Sequence, residues 1–166
     1  MSKNALEIIN DLSDLDAVRF VQFLGGEIFE GITGKEVISN IPKSFRSIPG
    51  LEELENLQPD QEKIDLPPQK SIKIARDLLS YFAQDEALGP ILETLWEKYK
   101  NESDELFIGA VLACGFVSGM ILFTATTEIE GKIGNIKFKK KVASREIVEA
   151  LAKAAFDSLR QMLTGS

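Results

Sequence analysis

Residues 106–127 read LFIGAVLACGFVSGMILFTATT, and this stretch decides how the chain folds. It contains no Asp, Glu, Lys, Arg, Asn, Gln or Pro, and Glu105 and Glu128 bound it. As one helix it would be about 33 Å long, close to the roughly 30 Å hydrocarbon thickness of a bilayer. The stretch therefore predicts a long apolar central helix that is a candidate membrane span.

A buried helix in the core of a helical domain explains the same stretch. Its glycine, serine, threonine and cysteine residues make it less apolar than a leucine-rich anchor, and residues 121–127 are rich enough in β-branched side chains to suit a strand. A buried helix needs only about 10 to 14 apolar residues, so the length favours a membrane span. Hydropathy does not separate the two interpretations, and both stay open.

The pattern on either side predicts a mainly α protein. The predicted parts are a bundle-like N-terminal helical region, the long apolar helix, and a C-terminal β-hairpin with an amphipathic helix. Their boundaries are a helical region at 1–57, a linker or exposed loop at 58–70, a helical hairpin at 71–105, the central helix at 106–127, and the hairpin with the last helix at 128–166. The loop assignment depends on its polar composition and its three prolines.

The C-terminal hairpin is predicted from the alternation of apolar and charged residues. Ile136 and Phe138 alternate with lysines, and residues 131–135 (GKIGN) carry turn-forming glycine and asparagine. Ser144 then begins a helix whose apolar residues recur at helical spacing. Because an isolated two-stranded hairpin is marginally stable in water, we expect it to pack on a helix or pair with another chain.

The charge of the chain is unevenly distributed. Its formal net charge is −7, but residues 1–105 carry 11 basic and 21 acidic side chains, whereas residues 128–166 carry 8 basic and 5 acidic ones. An acidic body argues against nucleic-acid binding, since phosphate contacts need clustered Lys and Arg. The N-terminus lacks the basic and apolar segments of a signal peptide, so we expect a cytoplasmic or membrane-associated protein.

The residue types that usually carry catalysis are scarce. The sequence has no histidine, and Cys114 is its single cysteine. This excludes Ser-His and Cys-His nucleophiles and the usual zinc patterns. We therefore expect no enzyme activity, no metal and no cofactor. A hydrolase that uses two carboxylates is the remote alternative, although the acidic side chains follow the polar faces of predicted helices.

A strip of small residues runs along the apolar stretch. A Gly-x-x-x-Gly motif lies beside small residues spaced four apart, a pattern that lets two helix backbones approach closely. We predict a helix-packing or oligomer interface at this strip, and close packing within one chain is the alternative. Its members are Ala110, Cys114, Gly115, Ser118 and Gly119.

A lysine cluster follows the predicted turn of the hairpin. Beside a membrane span, such a cluster marks the cytoplasmic side and contacts anionic lipid. On an exposed strand, lysines instead keep the edge soluble. We predict a lipid or partner contact at Lys137, Lys139, Lys140 and Lys141.

These features predict a non-enzymatic interaction or accessory protein. In the first hypothesis, an acidic helical domain binds protein partners and the apolar helix anchors in or inserts into a membrane. In the alternative, the chain is a soluble helical adaptor or assembly subunit, and residues 106–127 form a core or oligomer-interface helix. Self-association is compatible with both hypotheses.

Overall fold

The fold is mainly α-helical, as predicted. The computed structural model describes residues 4–30, 34–102, 110–126, 129–133, 136–141 and 143–164. Within these ranges there are nine α-helices: α1 (Ala5–Asp11), α2 (Asp14–Glu30), α3 (Gly34–Ser39), α4 (Leu51–Glu55), α5 (Pro59–Glu62), α6 (Pro68–Gln84), α7 (Leu88–Glu102), α8 (Cys114–Thr124) and α9 (Arg145–Thr164). A short 3-10 helix covers Lys43–Ser47, and two strands, β1 (Ile129–Ile133) and β2 (Ile136–Lys140), form an antiparallel pair.

Helix α6 lies at the centre of the described structure and packs against α1, α2, α7, α8 and α9. Its apolar residues recur every three or four positions, so one face is buried along its whole length. The buried side chains of this face are Ile74, Ala75, Leu78, Leu79 and Phe82. They belong to one cluster of buried side chains that includes residues from every described α-helix except α5.

The central apolar stretch is not one continuous helix. The described helix, α8, has 11 residues, and the segment 110–113 before it is not helical. Ala113 forms an isolated antiparallel bridge with Asp65, and the backbone N–H of Cys114 donates to the carbonyl of Ile64 at 2.8 Å. This pairing uses backbone groups that a longer helix would need for itself, so the predicted helix is too long at its start. Residues 106–109 and 127 lie outside the described part.

The candidate membrane span is not supported. With 11 residues, α8 is about 17 Å long, roughly half the thickness of a bilayer core. Among the helices of the described ranges, none combines the length and the apolar character that crossing a membrane requires.

Residues 58–70, predicted as a linker or exposed loop, are partly structured. They contain α5 and the bridged Asp65, and the side chain of Leu66 is buried. Helix α6 begins at Pro68 rather than at the predicted Ser71, because proline fits the first turn of a helix. Ser71 lies inside the helix, where its buried hydroxyl accepts from the backbone N–H of Leu112 at 2.9 Å.

The hairpin is present in the described residues. In the antiparallel register, Ile129 lies opposite Lys140 at one end and Ile133 lies opposite Ile136 at the other. The turn residues 134–135 lie outside the described part. Phe138 is buried, with its ring centroid 6.5 Å from that of Phe123 in α8. The hairpin therefore packs on a helix, which supplies the support that a two-stranded sheet needs.

Candidate interaction surface

Strand β2 presents two different faces. Side chains alternate along a strand, so residues two apart share one face. Phe138 and Lys140 are buried, whereas Lys137 and Lys139 are exposed. Lys141, directly after the strand, continues the exposed set. We call Lys137, Lys139 and Lys141 the lysine face.

Lys140 holds the strand to the end of α8. Its side chain is completely buried, and its ammonium group donates to the backbone carbonyls of Thr124 at 3.0 Å, Thr126 at 2.8 Å and Lys141 at 2.7 Å. An ammonium group has three donors, so these three acceptors satisfy it. The last carbonyls of a helix have no partner within the helix and carry the negative end of its dipole, so a cation is favourable here.

Aromatic rings surround the same ammonium group. Lys140 Nζ lies 5.5 Å from the ring centroid of Phe123 and 5.8 Å from that of Tyr81, within the range of cation–π attraction. Burial nevertheless lowers the pKa of Lys140 to about 7, because removing the charge from water disfavours it, and the carboxylate of Asp85 opposes this shift. Burial also raises the pKa of the Tyr81 phenol, whose hydroxyl has no hydrogen-bond partner among the described residues.

This lowered pKa predicts a pH-dependent stability. In the unfolded chain Lys140 titrates near 10.5, so between about pH 7 and pH 10.5 the unfolded state binds a proton that the folded state lacks. The free energy of unfolding contributed by Lys140 should then rise with pH in this window, by up to about 1.4 kcal/mol per pH unit. We expect urea titrations from pH 6 to pH 9 to show this rise relative to Lys140→Met. A constant difference between the two proteins across this range would contradict the depressed pKa.

The lysine face borders a cleft of about 400 Å³. Lys139 and Lys141 line it together with residues 84–87 of the turn between α6 and α7. Asp85 in this turn is already engaged, since its Oδ1 accepts from the backbone N–H groups of Ala87 at 2.9 Å and Leu88 at 3.0 Å. It thereby satisfies donors at the start of α7. The cleft thus combines two exposed lysines with an acidic turn of fixed conformation.

The structure divides the predicted lysine cluster. Lys137, Lys139 and Lys141 are on the surface, where they can reach a lipid or a partner. Lys140 is not available for such a contact, because its ammonium group is directed into the protein and bound to carbonyl oxygens. The assignment of Lys140 to a contact surface is therefore corrected: it anchors the strand.

The predicted small-residue strip lies mostly against other elements of the same chain. Ala110 is exposed, whereas Cys114 is buried, and burial raises the pKa of its thiol. The hydroxyl of Ser118 donates to the carbonyl of Leu54 in α4. An interface of this strip with a second chain stays a prediction.

The two glycines of the strip differ in their surroundings. A Cβ added at Gly115 would lie 2.9 Å from the Cβ and 3.2 Å from the carbonyl oxygen of Glu62 in α5, closer than such atoms normally approach. A Cβ added at Gly119 would meet the ring of Phe29 at 3.5 Å, an ordinary contact. Gly115 is therefore required for the approach of α5 to α8, and Gly119 is not.

This difference predicts opposite effects of alanine. Gly115→Ala should lower the free energy of unfolding by about 1 to 3 kcal/mol through overpacking. Gly119→Ala should leave it unchanged or raise it by up to about 1 kcal/mol, because alanine favours the helix. Urea denaturation of both variants checks this. Equal effects would contradict the close approach of α5 to Gly115.

The side chains that commonly bind metal ions are dispersed in the part of the chain that the structure describes. Within the described ranges, no cluster of three or more His, Cys, Asp or Glu side chains could hold a metal ion. Comparisons of the chain with protein-family models, with curated proteins and with solved structures found no match. The function must therefore be argued from the geometry of the chain itself.

Proposed function

We propose that this chain is a non-enzymatic α-helical adaptor or assembly subunit that binds a protein partner through the lysine face of β2. The observation that carries this proposal is the contrast within one strand. Three lysines are exposed on one side, while Phe138 and Lys140 attach the other side to the core. A strand whose backbone is held in one conformation loses little backbone entropy on binding, which favours its use as a recognition surface.

The charge distribution supports the same proposal. The chain is acidic overall, so the exposed lysines of the lysine face are opposite in sign to its net charge of −7. Such a patch attracts acidic surfaces, whereas two copies of a chain with a net charge of −7 repel each other as whole molecules. We therefore place a protein with an acidic surface ahead of self-association.

A membrane-anchored function has weaker support. The apolar side chains of α8 that would contact lipid, including Met120, Ile121 and Phe123, are buried against the chain's own helices. Exposing them to lipid would require α8 to leave the core that it shares with α4, α6 and α9. Surface contact of the lysine face with anionic lipid is the remaining membrane alternative, and the test below includes it.

Charge reversal tests the proposed surface. The test variant is Lys137→Glu/Lys139→Glu/Lys141→Glu, and the matched control is Lys43→Glu/Lys70→Glu/Lys153→Glu, which reverses three exposed lysines on other elements. We expect wild-type protein and the control to co-purify with a partner from cells, and that partner, once purified, to bind both directly. The test variant should lose this binding while keeping its helical circular dichroism and melting temperature.

Two results would contradict the proposal. One is a set of bound proteins that is the same for wild type and both variants. The other is lysine-dependent flotation with vesicles of phosphatidylcholine and phosphatidylserine when no protein partner depends on the lysines. The second result would assign the lysine face to a lipid surface.

A further inference from the structure

The backbone of β2 has one edge that the hairpin does not use. Ile133 and Ile136 are register partners separated by only two residues, and such a closing pair exchanges both of its backbone hydrogen bonds. Hydrogen-bonded pairs alternate with non-hydrogen-bonded ones along an antiparallel ladder. The backbone N–H and C=O groups of Phe138 and Lys140 therefore face β1, and those of Lys137 and Lys139 face the opposite direction.

These outward groups form a free strand edge in the described structure. The described sheet has two strands, so β2 has no strand neighbour on its second side. No backbone hydrogen bond from another described element reaches Lys137 or Lys139. Lys139 and Lys141 line the cleft of about 400 Å³ together with Gln84 at the end of α6 and residues 85–87 of the turn that follows it. An unpaired strand edge is a template for pairing with another extended chain.

We propose that an extended acidic segment of a partner protein binds as a third strand along the outer edge of β2, with acidic side chains at alternate positions beside Lys137, Lys139 and Lys141. This inference rests on the proposed function and names the chemistry of the partner. Lysines two residues apart repeat at about 6.7 Å, which is also the repeat of alternate side chains on an added strand. Each lysine can therefore lie beside one acidic side chain of the added strand, and such opposite-charge pairs stabilise neighbouring strands.

The same lysines argue against a second copy of β2 as the added strand. Pairing two copies edge to edge would place lysines beside lysines on one face, and like charges on neighbouring strands are destabilising. Lysine on an exposed edge is a common means of preventing such self-pairing. In the described register, Glu130 of β1 lies opposite Lys139.

A synthetic peptide tests the inference. The probe is a capped peptide of sequence TEVEVET, which has glutamates at alternate positions, and the control is TVEEEVT, which has the same composition without the alternation. Binding to the full chain is followed by NMR titration of the β2 amides. We expect TEVEVET to bind at least about tenfold more tightly than TVEEEVT, because only TEVEVET places all three glutamates at the spacing of the three lysines. Lys137→Gln/Lys139→Gln/Lys141→Gln should remove this difference, whereas Lys43→Gln/Lys70→Gln/Lys153→Gln should not.

Backbone methylation separates strand addition from simple ion pairing. Added strands use every second backbone N–H, so N-methylation of the peptide at one set of alternate positions should abolish binding, while methylation at the other set should leave it intact. Equal binding of both peptides, or equal tolerance of both methylation patterns, would overturn strand addition. If strand addition is overturned in this way but a protein partner still binds through the three lysines, the proposed function stands and only the strand-addition inference fails. If the binding of protein partners also does not depend on the three lysines, the proposed function and the strand-addition inference both fail.

Discussion

We expect Phe123→Ala to lower the free energy of unfolding by about 3 to 5 kcal/mol, the usual effect of truncating a buried phenylalanine. The Phe123 side chain is completely buried. Its ring centroid lies 6.3 Å from that of Phe29 in α2, 6.3 Å from that of Phe82 in α6 and 6.5 Å from that of Phe138 in β2. One side chain thus connects two helices and the hairpin to α8, and its loss leaves a cavity between all of them.

Phe123→Leu is the matched control for this truncation. Leucine keeps most of the apolar volume, so the loss should stay below about 1.5 to 2 kcal/mol. Thermal and urea denaturation of both variants measure the difference. A loss of less than about 1 kcal/mol for Phe123→Ala would contradict the position of α8 in the core.

The second large effect is expected for Lys140→Ala. Removal of the ammonium group recovers the free energy that burying its charge costs. It also deprives the buried carbonyl of Thr126 and the partly buried carbonyl of Lys141 of this donor, at about 1 to 3 kcal/mol each, while the carbonyl of Thr124 keeps the backbone N–H of Ala143 at 3.3 Å. The lost methylene groups add a cavity at the point where the hairpin meets α8. We expect a net decrease of about 2 to 4 kcal/mol in the free energy of unfolding, together with faster amide exchange in β2.

Lys139→Ala serves as the control, because it removes the same groups from an exposed neighbour in the same strand. Substitutions at exposed positions usually change stability by no more than about 0.5 kcal/mol. We therefore expect the two adjacent alanine variants to differ by well over 1 kcal/mol in urea denaturation. Similar values for both would contradict the anchoring function of Lys140.

The sequence predicts the amphipathic elements well, because their signal is local. In α6 and α9 the apolar residues recur at helical spacing, and in β2 Ile136 and Phe138 alternate with lysines, so periodicity alone identifies helix and strand. These patterns depend on the one buried face of each element. They require no knowledge of what lies against that face.

The central stretch was predicted less well, because hydropathy records burial and not backbone conformation. Residues 110–113 are not helical, since Ala113 pairs with Asp65 and the Leu112 amide donates to Ser71, and both partners are about 40 residues or more away in sequence. The contact with Leu112 also explains why Ser71 is buried inside α6. No periodicity within the stretch reveals a pairing at such a distance.

The burial of Lys140 on the inner face of β2 could have been predicted from the sequence. Ile136, Phe138 and Lys140 have the same parity along the strand, so strict alternation places Lys140 on the buried face. The three consecutive lysines at 139–141 suggested a uniformly exposed cluster instead. Burial of a lysine is rare without partners, and its three carbonyl partners come from the end of α8 and from the next residue in the chain.

The central claim is that β2 exposes the lysine face and buries Lys140, and chemical modification of lysines tests it most directly. The native protein is treated with limiting acetylating reagent, and peptide mass spectrometry gives the rate at each lysine. We predict rapid modification of Lys137, Lys139 and Lys141, and modification of Lys140 that is more than about tenfold slower until the protein is unfolded, because the reagent reaches Lys140 only when the hairpin opens. Equal rates at Lys139 and Lys140 in the folded protein would contradict the claim.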